Sequence, residues 1–301
     1  VVAWGDAAFG GSTATPNDVT SALENVTSLY NNPYSFTALL KDKTVLSWGH
    51  QTYGGDSSDV ASQLTNVVLI ASTGTAMAAL KSDGTVIAWG DSSKGGNTAL
   101  VSAQLIGVTA IYSCARAFIA LKNDSTVVVW GFPQDISGAA NVASIQFSQI
   151  FSCEHASVGL TADNKLYSWG ASAYGGTGGS LVISGVKYVY STHAAFAALM
   201  TDLTVHTFGN GGKGGNSGAV ASELYSIRTI ASNGCAFAAI RETDGKVITW
   251  GGTDYGAVGV VPNLAGVSMV SSLNKMFMAW KNDSSVLYWS NSNSYANLSN
   301  V

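Results

Sequence analysis

Charge is scarce in this chain: Asp, Glu, Lys and Arg make up 11% of its 301 residues, against about 25% in an average soluble protein. Its surface must be covered largely by Ser, Thr, Asn, Gln and Gly. The 14 Lys and Arg stand singly against 18 Asp and Glu, for a net charge of −4. That excludes the basic stripe from which nucleic-acid binding draws its electrostatic strength. Long apolar runs are missing too. None approaches the ~18 residues of a membrane span, and no basic amphipathic segment suggests a membrane surface. Neither a nucleic-acid partner nor membrane insertion is expected. Three cysteines, an odd number, make no disulfide framework. Helical periodicity is also absent: no segment keeps a 3.6-residue apolar period over three turns, and only Val60–Leu64 and Val220–Leu224 suit a single helical turn.

What the chain does contain is one unit repeated. Val86-Ile-Ala-Trp-Gly90 recurs as Val1–Gly5, Val45–Gly49, Val127–Gly131, Leu166–Gly170, Val205–Gly209 and Val247–Gly251, and in degraded form as Val286–Ser290. The starts are about 41 residues apart, a period at which each copy is too small to bury its own apolar face. Within one copy, Asn66–Ala71 is an apolar, β-branched run that fits a buried strand. Ser72–Thr75 is a small polar turn, and Ala76–Leu80 is a second strand of small and large apolar residues in turn. Asp83 and Gly84 supply the left-handed conformations of a tight hairpin into the Trp-Gly strand. Three or four short antiparallel strands per unit describe a propeller blade, and seven blades around an axis cover edges that an open stack exposes. The fold expected is all-β, a seven-bladed β-propeller with short three- to four-stranded antiparallel blades, spanning residues 1–301 as a single domain.

The large residues that recur in register belong between blades. On the middle strand these are Phe36, Met77, Phe118, Ser157, Phe196, Phe237 and Phe277; on the third strand Trp4, Trp48, Trp89, Trp130, Trp169, Phe208, Trp250 and Trp289. Eight third strands stand against seven pairs of first and middle strands. Val1–Asp6 is therefore expected to complete the closing blade, beside residues 266–291.

The succession of small polar turn, apolar strand, Asp-Gly-Thr hairpin, Val-x-x-Trp-Gly and an aromatic before Gly, plainest over Lys81–Gly90 and Lys122–Gly131, resembles the regulator of chromosome condensation repeat. Its Ala-Trp-Gly blades are especially similar to those of the bacterial propeller-type β-lactamase inhibitors. The resemblance implies a propeller and admits several roles, among them nucleotide exchange on a small GTPase and β-lactamase inhibition. Two departures and the acidic balance count against a chromatin role. Gly-Gly, at 54–55, 95–96, 175–176 and 214–215, replaces the longer Gly-Gln-Leu-Gly, and Ser or Ala replaces the usual middle-strand His, as at Ser35 and Ala76.

Function should sit where the repeats differ. The hairpin end is chemically uniform, whereas the turns between first and middle strands and the loops after Trp-Gly vary from blade to blade, as a specific recognition surface requires. The turns carry Tyr34, Arg116, His155, His193 and Lys275; the loops carry Phe9, His50, Tyr53, Lys94, Phe132, Tyr174 and Tyr255. Aromatic residues with a few charges are the usual anchors of protein interfaces, so a protein partner is expected. Phe9, Tyr53, Tyr174 and Tyr255 suit a second role equally well, folding back to seal blade junctions. No cofactor is implied. His155 and His193, with Glu154 and Cys153 nearby, lack ligand spacing for a metal. The Gly209–Gly215 loop lacks the Lys-Ser/Thr end of a phosphate loop, and Gly-X-Ser-X-Gly and His-Glu-X-X-His are absent, so no enzymatic activity is expected. Two other readings of the sequence are a structural component of an extracellular or viral-particle surface, which suits the uncharged skin and such a location, and an inhibitor of a β-lactamase or related cell-wall enzyme.

Overall fold

Alternating small and large apolar residues separated by tight turns build seven antiparallel sheets in the computed structural model, which describes residues 1–14, 16, 18–261 and 264–290 and the backbone of 295–298. They are the blades of a seven-bladed β-propeller. Blade 1 comprises β1 (Val26–Asn31), β2 (Ser35–Leu40) and β3 (Val45–Gly49); blade 2, β4 (Val67–Ser72), β5 (Ala76–Lys81) and β6 (Val86–Gly90). Blade 3 comprises β7 (Val108–Ser113), β8 (Ala117–Lys122) and β9 (Val127–Gly131); blade 4, β10 (Gln149–Ser152), β11 (Ala156–Leu160), β12 (Lys165–Gly170) and β13 (Val182–Ser184). Blade 5 comprises β14 (Val186–Ser191), β15 (Ala195–Met200) and β16 (Val205–Gly209); blade 6, β17 (Ile227–Ser232), β18 (Ala236–Arg241), β19 (Val247–Gly251) and β20 (Gly259–Val260). Blade 7 comprises β21 (Val267–Leu273), β22 (Met276–Lys281), β23 (Val286–Trp289) and β24 (Tyr295–Leu298). Val60 and Val220 fall in single 3-10 turns, Ser58–Gln63 and Gly218–Glu223. Blades 1–3 lie in one compact unit, Val1–Ser148, and blades 4–7 in another, Gln149–Val301.

Register pairs the recurrent large residues across each sheet: Phe36 with Trp48, Met77 with Trp89, Phe118 with Trp130, Ser157 with Trp169, Phe196 with Phe208, Phe237 with Trp250 and Phe277 with Trp289. In blades 2, 5 and 6 the opposite face of the middle strand carries paired alanines, Ala76 and Ala78, Ala195 and Ala197, and Ala236 and Ala238. Ala76 and Ala78 of blade 2 therefore receive Phe118 and Trp130 of blade 3, and Ala236 and Ala238 of blade 6 receive Phe277 and Trp289 of blade 7. Large side chains from one sheet fill the hollows left by alanines on the next, which is how close packing is reached between repeats.

Hydrogen bonds tie neighbouring blades at both ends. The Trp130 indole donates to the Gly95 carbonyl of blade 2 at 2.9 Å, and Trp250 donates to Gly214 of blade 5 at 3.1 Å. At the hairpin end, the Val67 amide donates to Lys43 O at 3.0 Å and the Ile227 amide to Leu203 O at 2.8 Å.

Three expectations are corrected. Trp4 is 83% exposed and lies outside the inter-blade core, because Val1–Gly5 forms no strand and a third strand is buried only when a middle strand pairs with it. The additional strand of blade 7 is β24, paired with β23, rather than Val1–Asp6. In the hairpin of blade 2 only Gly84 is left-handed (φ 78°). Asp83 instead accepts hydrogen bonds from the Thr85 amide and hydroxyl, at 3.0 and 2.6 Å. The same Asp bonding recurs at Asp42, Asp124, Asp202 and Asp283, and these hydrogen bonds hold each carboxyl below its usual pKa, that of Asp283 to about 2.

Candidate functional site

The variable turns and loops meet because each sheet brings the end of its third strand beside the start of its middle strand. In each of these blades the residue after Trp-Gly donates its amide to the turn just before the middle strand: His50 to Tyr34 O at 2.9 Å, Phe132 to Arg116 O at 2.9 Å, Ala171 to His155 O at 2.8 Å and Gly252 to Cys235 O at 2.8 Å. Candidate residues far apart in sequence thus become neighbours in pairs.

A second bond fixes the loop tip, and it comes from residues that sequence reasoning passed over. At the end of the first strand stand Asn32, Thr73, Cys153, Thr192 and Asn233. Their side chains donate to Tyr53 O (2.8 Å), Lys94 O (3.3 Å), Tyr174 O (3.5 Å), Lys213 O (2.8 Å) and Tyr255 O (2.8 Å). The signal in the sequence is chemical rather than by identity: a short donor side chain three residues before the middle strand in blades 1 to 6, with Leu273 in its place in blade 7. Cys114 holds the same place in blade 3 and donates to Asp135 Oδ2 at 3.7 Å. All three cysteines are buried free thiols. Burial pushes the Cys114 thiol up to about 12 and the Cys153 thiol up to about 11, so both remain protonated donors rather than nucleophiles.

The glycine pair completes the frame. Gly95 is left-handed (φ 103°), and a Cβ there would lie 2.6 Å from the Phe118 ring of the next blade; a Cβ on Gly96 would lie 2.5 Å from Gly90 O. Gly-Gly lets the loop press against the following blade.

In the first unit, four candidates from three segments converge. Phe9, Tyr34, His50 and Tyr53 form one aromatic cluster, with centroid separations of 5.7 Å for Phe9–Tyr34, 5.0 Å for Tyr34–Tyr53 and 4.1 Å for stacked His50–Tyr53. Phe9 is 43% exposed and the other three are half-buried. Lys94 pairs with Asp91 at 3.4 Å. Arg116 is engaged within its own blade: it makes two hydrogen bonds to buried Asp135, at 2.8 and 3.3 Å, and lies 4.1 Å over the Phe132 ring. Asp135, absent from the sequence-based candidates, orients that pair.

In the second unit, His155 packs edge-on against Tyr174 at 4.6 Å and approaches Glu154 at 3.8 Å, while His193 is exposed. The turns of blades 4, 5 and 6 are laced together, Glu154 N donating to His193 O at 2.9 Å and His193 N to Gly234 O at 3.0 Å. An open depression of about 480 Å³ lies along them, lined by Ser152, Glu154, His193 and Asn233 among others. Tyr174 and Tyr255 are half-buried and pack against the cores of their junctions, so each ring seals a junction on one side and faces outward on the other. Lys275 and Tyr255 come together, with the Lys275 ammonium 5.6 Å from the ring centroid. Among the described residues no group of three or more His, Cys, Asp and Glu is placed to hold a metal ion, and no helix is long and apolar enough to cross a membrane.

No family model matches the chain, and no curated protein matches it. Solved structures to which it is similar include the CRINKLY WD40 ectodomain of the Arabidopsis thaliana receptor kinase ACR4, with 13% identity and a TM-score of 0.44 over 90% of this chain and 98% of that one. Yeast RCC1 (Prp20), in a structure bound to Kap60, has 17% identity and a TM-score of 0.42 over 90% of this chain and 71% of that one. Human WBSCR16 has 15% identity and a TM-score of 0.41 over 88% and 76%. Similarity of this degree says nothing about what the loops bind.

Proposed function

We propose that the protein is a non-enzymatic binding module that docks another protein on the end of its blades where turns and loops vary. One observation carries this reading. Phe9, Tyr34, His50 and Tyr53, drawn from three separate segments, assemble into a partly exposed aromatic cluster whose Tyr53 backbone is fixed by Asn32. Rigid aromatic side chains offer large contact area at little cost in conformational entropy, which is why they dominate interface energetics. The hairpin end, with the same Asp-centred turn in most blades, offers no comparable means of selection.

The test is affinity capture from the native source with the wild-type protein and with Tyr34→Ala/Tyr53→Ala. A specific protein is expected on the wild type and lost from the variant by 100-fold or more, corresponding to about 2.7 kcal/mol, with the variant's thermal melt confirming that it is folded. Undiminished capture by a folded variant would refute this placement.

A further inference from the structure

At the hairpin end four lysines stand beside a carboxylate of their own turn: Lys81 by Asp83 at 3.7 Å, Lys122 by Asp124 at 3.5 Å, Lys165 by Asp163 at 2.8 Å and Lys281 by Asp283 at 3.3 Å. Lys213 and Lys275, at the opposite end of the second unit, do not. Among the described residues neither has a carboxylate within ion-pair distance. Both converge on one aromatic ring, the Lys213 ammonium 5.5 Å and the Lys275 ammonium 5.6 Å from the centroid of Tyr255. The three residues come from three blades.

Their supports are rigid. The Lys213 amide donates to Asn210 O at 3.0 Å and its carbonyl accepts from Thr192 at 2.8 Å. The Tyr255 carbonyl accepts from Asn233 at 2.8 Å. Lys275 lies in a two-residue turn, since Leu273 pairs directly with Met276. A hydrogen bond to the Cys235 side chain raises the Lys213 pKa, so this ammonium stays charged at neutral pH. The nearby acids are Glu154, whose charge reaches Lys213, and Asp254, beside Tyr255; both are exposed and neither neutralises the two lysines. An anion set beside this ring gains charge-assisted hydrogen bonds from ammonium groups that have no carboxylate of their own.

We propose that Lys213 and Lys275, with Tyr255 as their shared platform, form a subsite for an Asp or Glu side chain on a segment of a partner protein. The Tyr255 ring offers apolar surface beside the charges, which suits a carboxylate carried on a methylene stem better than a bare ion. This rests on the reading of the variable end as a protein-docking surface and names the chemistry that it selects.

The experiment is calorimetric titration of the full chain with capped hexaglutamate at low salt, alongside a capped neutral Gly-Ser hexapeptide and inorganic phosphate. Hexaglutamate is expected to bind, and to bind more weakly by about tenfold as salt screens the contact. Lys213→Gln and Lys275→Gln should each weaken it about tenfold and the double variant should abolish it, whereas Lys81→Gln at the hairpin end should leave it unchanged and the neutral peptide should not bind. Absence of hexaglutamate binding, or binding undiminished in the double variant, overturns the subsite. Phosphate bound as tightly, with the same lysine dependence, overturns the assignment to a protein side chain. Lysine-dependent hexaglutamate binding combined with undiminished partner capture by Tyr34→Ala/Tyr53→Ala would sink the aromatic docking site and leave this subsite standing; the reverse combination would sink the subsite alone.

Discussion

Val1–Gly5 and Val86–Gly90 have nearly the same sequence and opposite fates. Val86–Gly90 pairs along its length with Ala76–Leu80, its Trp89 is 4% exposed, and the Trp89 indole donates to Gly54 O at 3.0 Å. Val1–Gly5 pairs with nothing as a strand, and Trp4 is 83% exposed. The segment that follows it nevertheless behaves like the loops that end at Gly54, Gly95, Gly175, Gly214 and Gly256: Ala7–Phe9 makes the 3-10 turn, Gly10 is left-handed, and its carbonyl accepts the Trp48 indole at 3.1 Å. A blade loop docks on its neighbour by local conformation, whereas a blade strand is buried only by the strand beside it. An apolar, β-branched sequence is a necessary condition for burial and not a sufficient one.

The strongest way to sharpen this contrast is to truncate both indoles. Trp89→Ala should cost about 3–5 kcal/mol in urea denaturation, while Trp4→Ala should stay within about 0.5 kcal/mol; equal losses would show that Val1–Gly5 is paired in solution. Next come the glycines. Gly95→Ala adds a left-handed Cβ 2.6 Å from Phe118 and should cost about 3 kcal/mol, whereas Gly5→Ala, with nothing within 4 Å of the new Cβ, bears only backbone strain of about 1 kcal/mol. Smaller again is Thr192→Val, which leaves Lys213 O without its donor. A loss of about 1–2 kcal/mol is expected, with faster amide exchange over residues 210–215 as the readout that separates a loosened loop from a general loss of stability.

The smallest effect concerns the buried thiols of blades 3 and 4. Their folded pKa values of about 12 for Cys114 and about 11 for Cys153 lie above the ordinary 9.0. Their contribution to stability is therefore complete below pH 9 and declines as pH rises through 11 to 12. At pH 8 neither should be alkylated by iodoacetamide until denaturant is added; rapid alkylation of the native protein would show that these loop pins are open.

Much of the architecture is legible in the residues themselves. The large-residue positions on the middle strands and, Trp4 apart, on the third strands, the first strand over Asn66–Ala71 and the two short helical turns fall where periodicity puts them, because sheet pairing preserves a two-residue alternation that can be read directly. The candidate site is legible only in part. That Phe9 and Tyr53 belong together with Tyr34 and His50 depends on the packing of consecutive loops, since the four are spread over 45 positions of the chain. Arg116 looks like a free cation until Asp135 is seen beside it at 2.8 Å. The bulges in the first strands were not legible either. At three of them a hydroxyl, that of Thr27, Thr109 or Ser268, donates to the Leu39, Leu121 or Trp280 carbonyl across the irregularity.

The sequence by itself determined that this protein is a succession of equal β units with aromatic faces and unequal loops, because strand period, turn chemistry and glycine position act over a few residues. Tertiary structure alone decided which of those faces are covered, which loop residues meet and which charges lack a partner. Burial and ion pairing depend on distances across strands and blades, and a period along the chain does not set them.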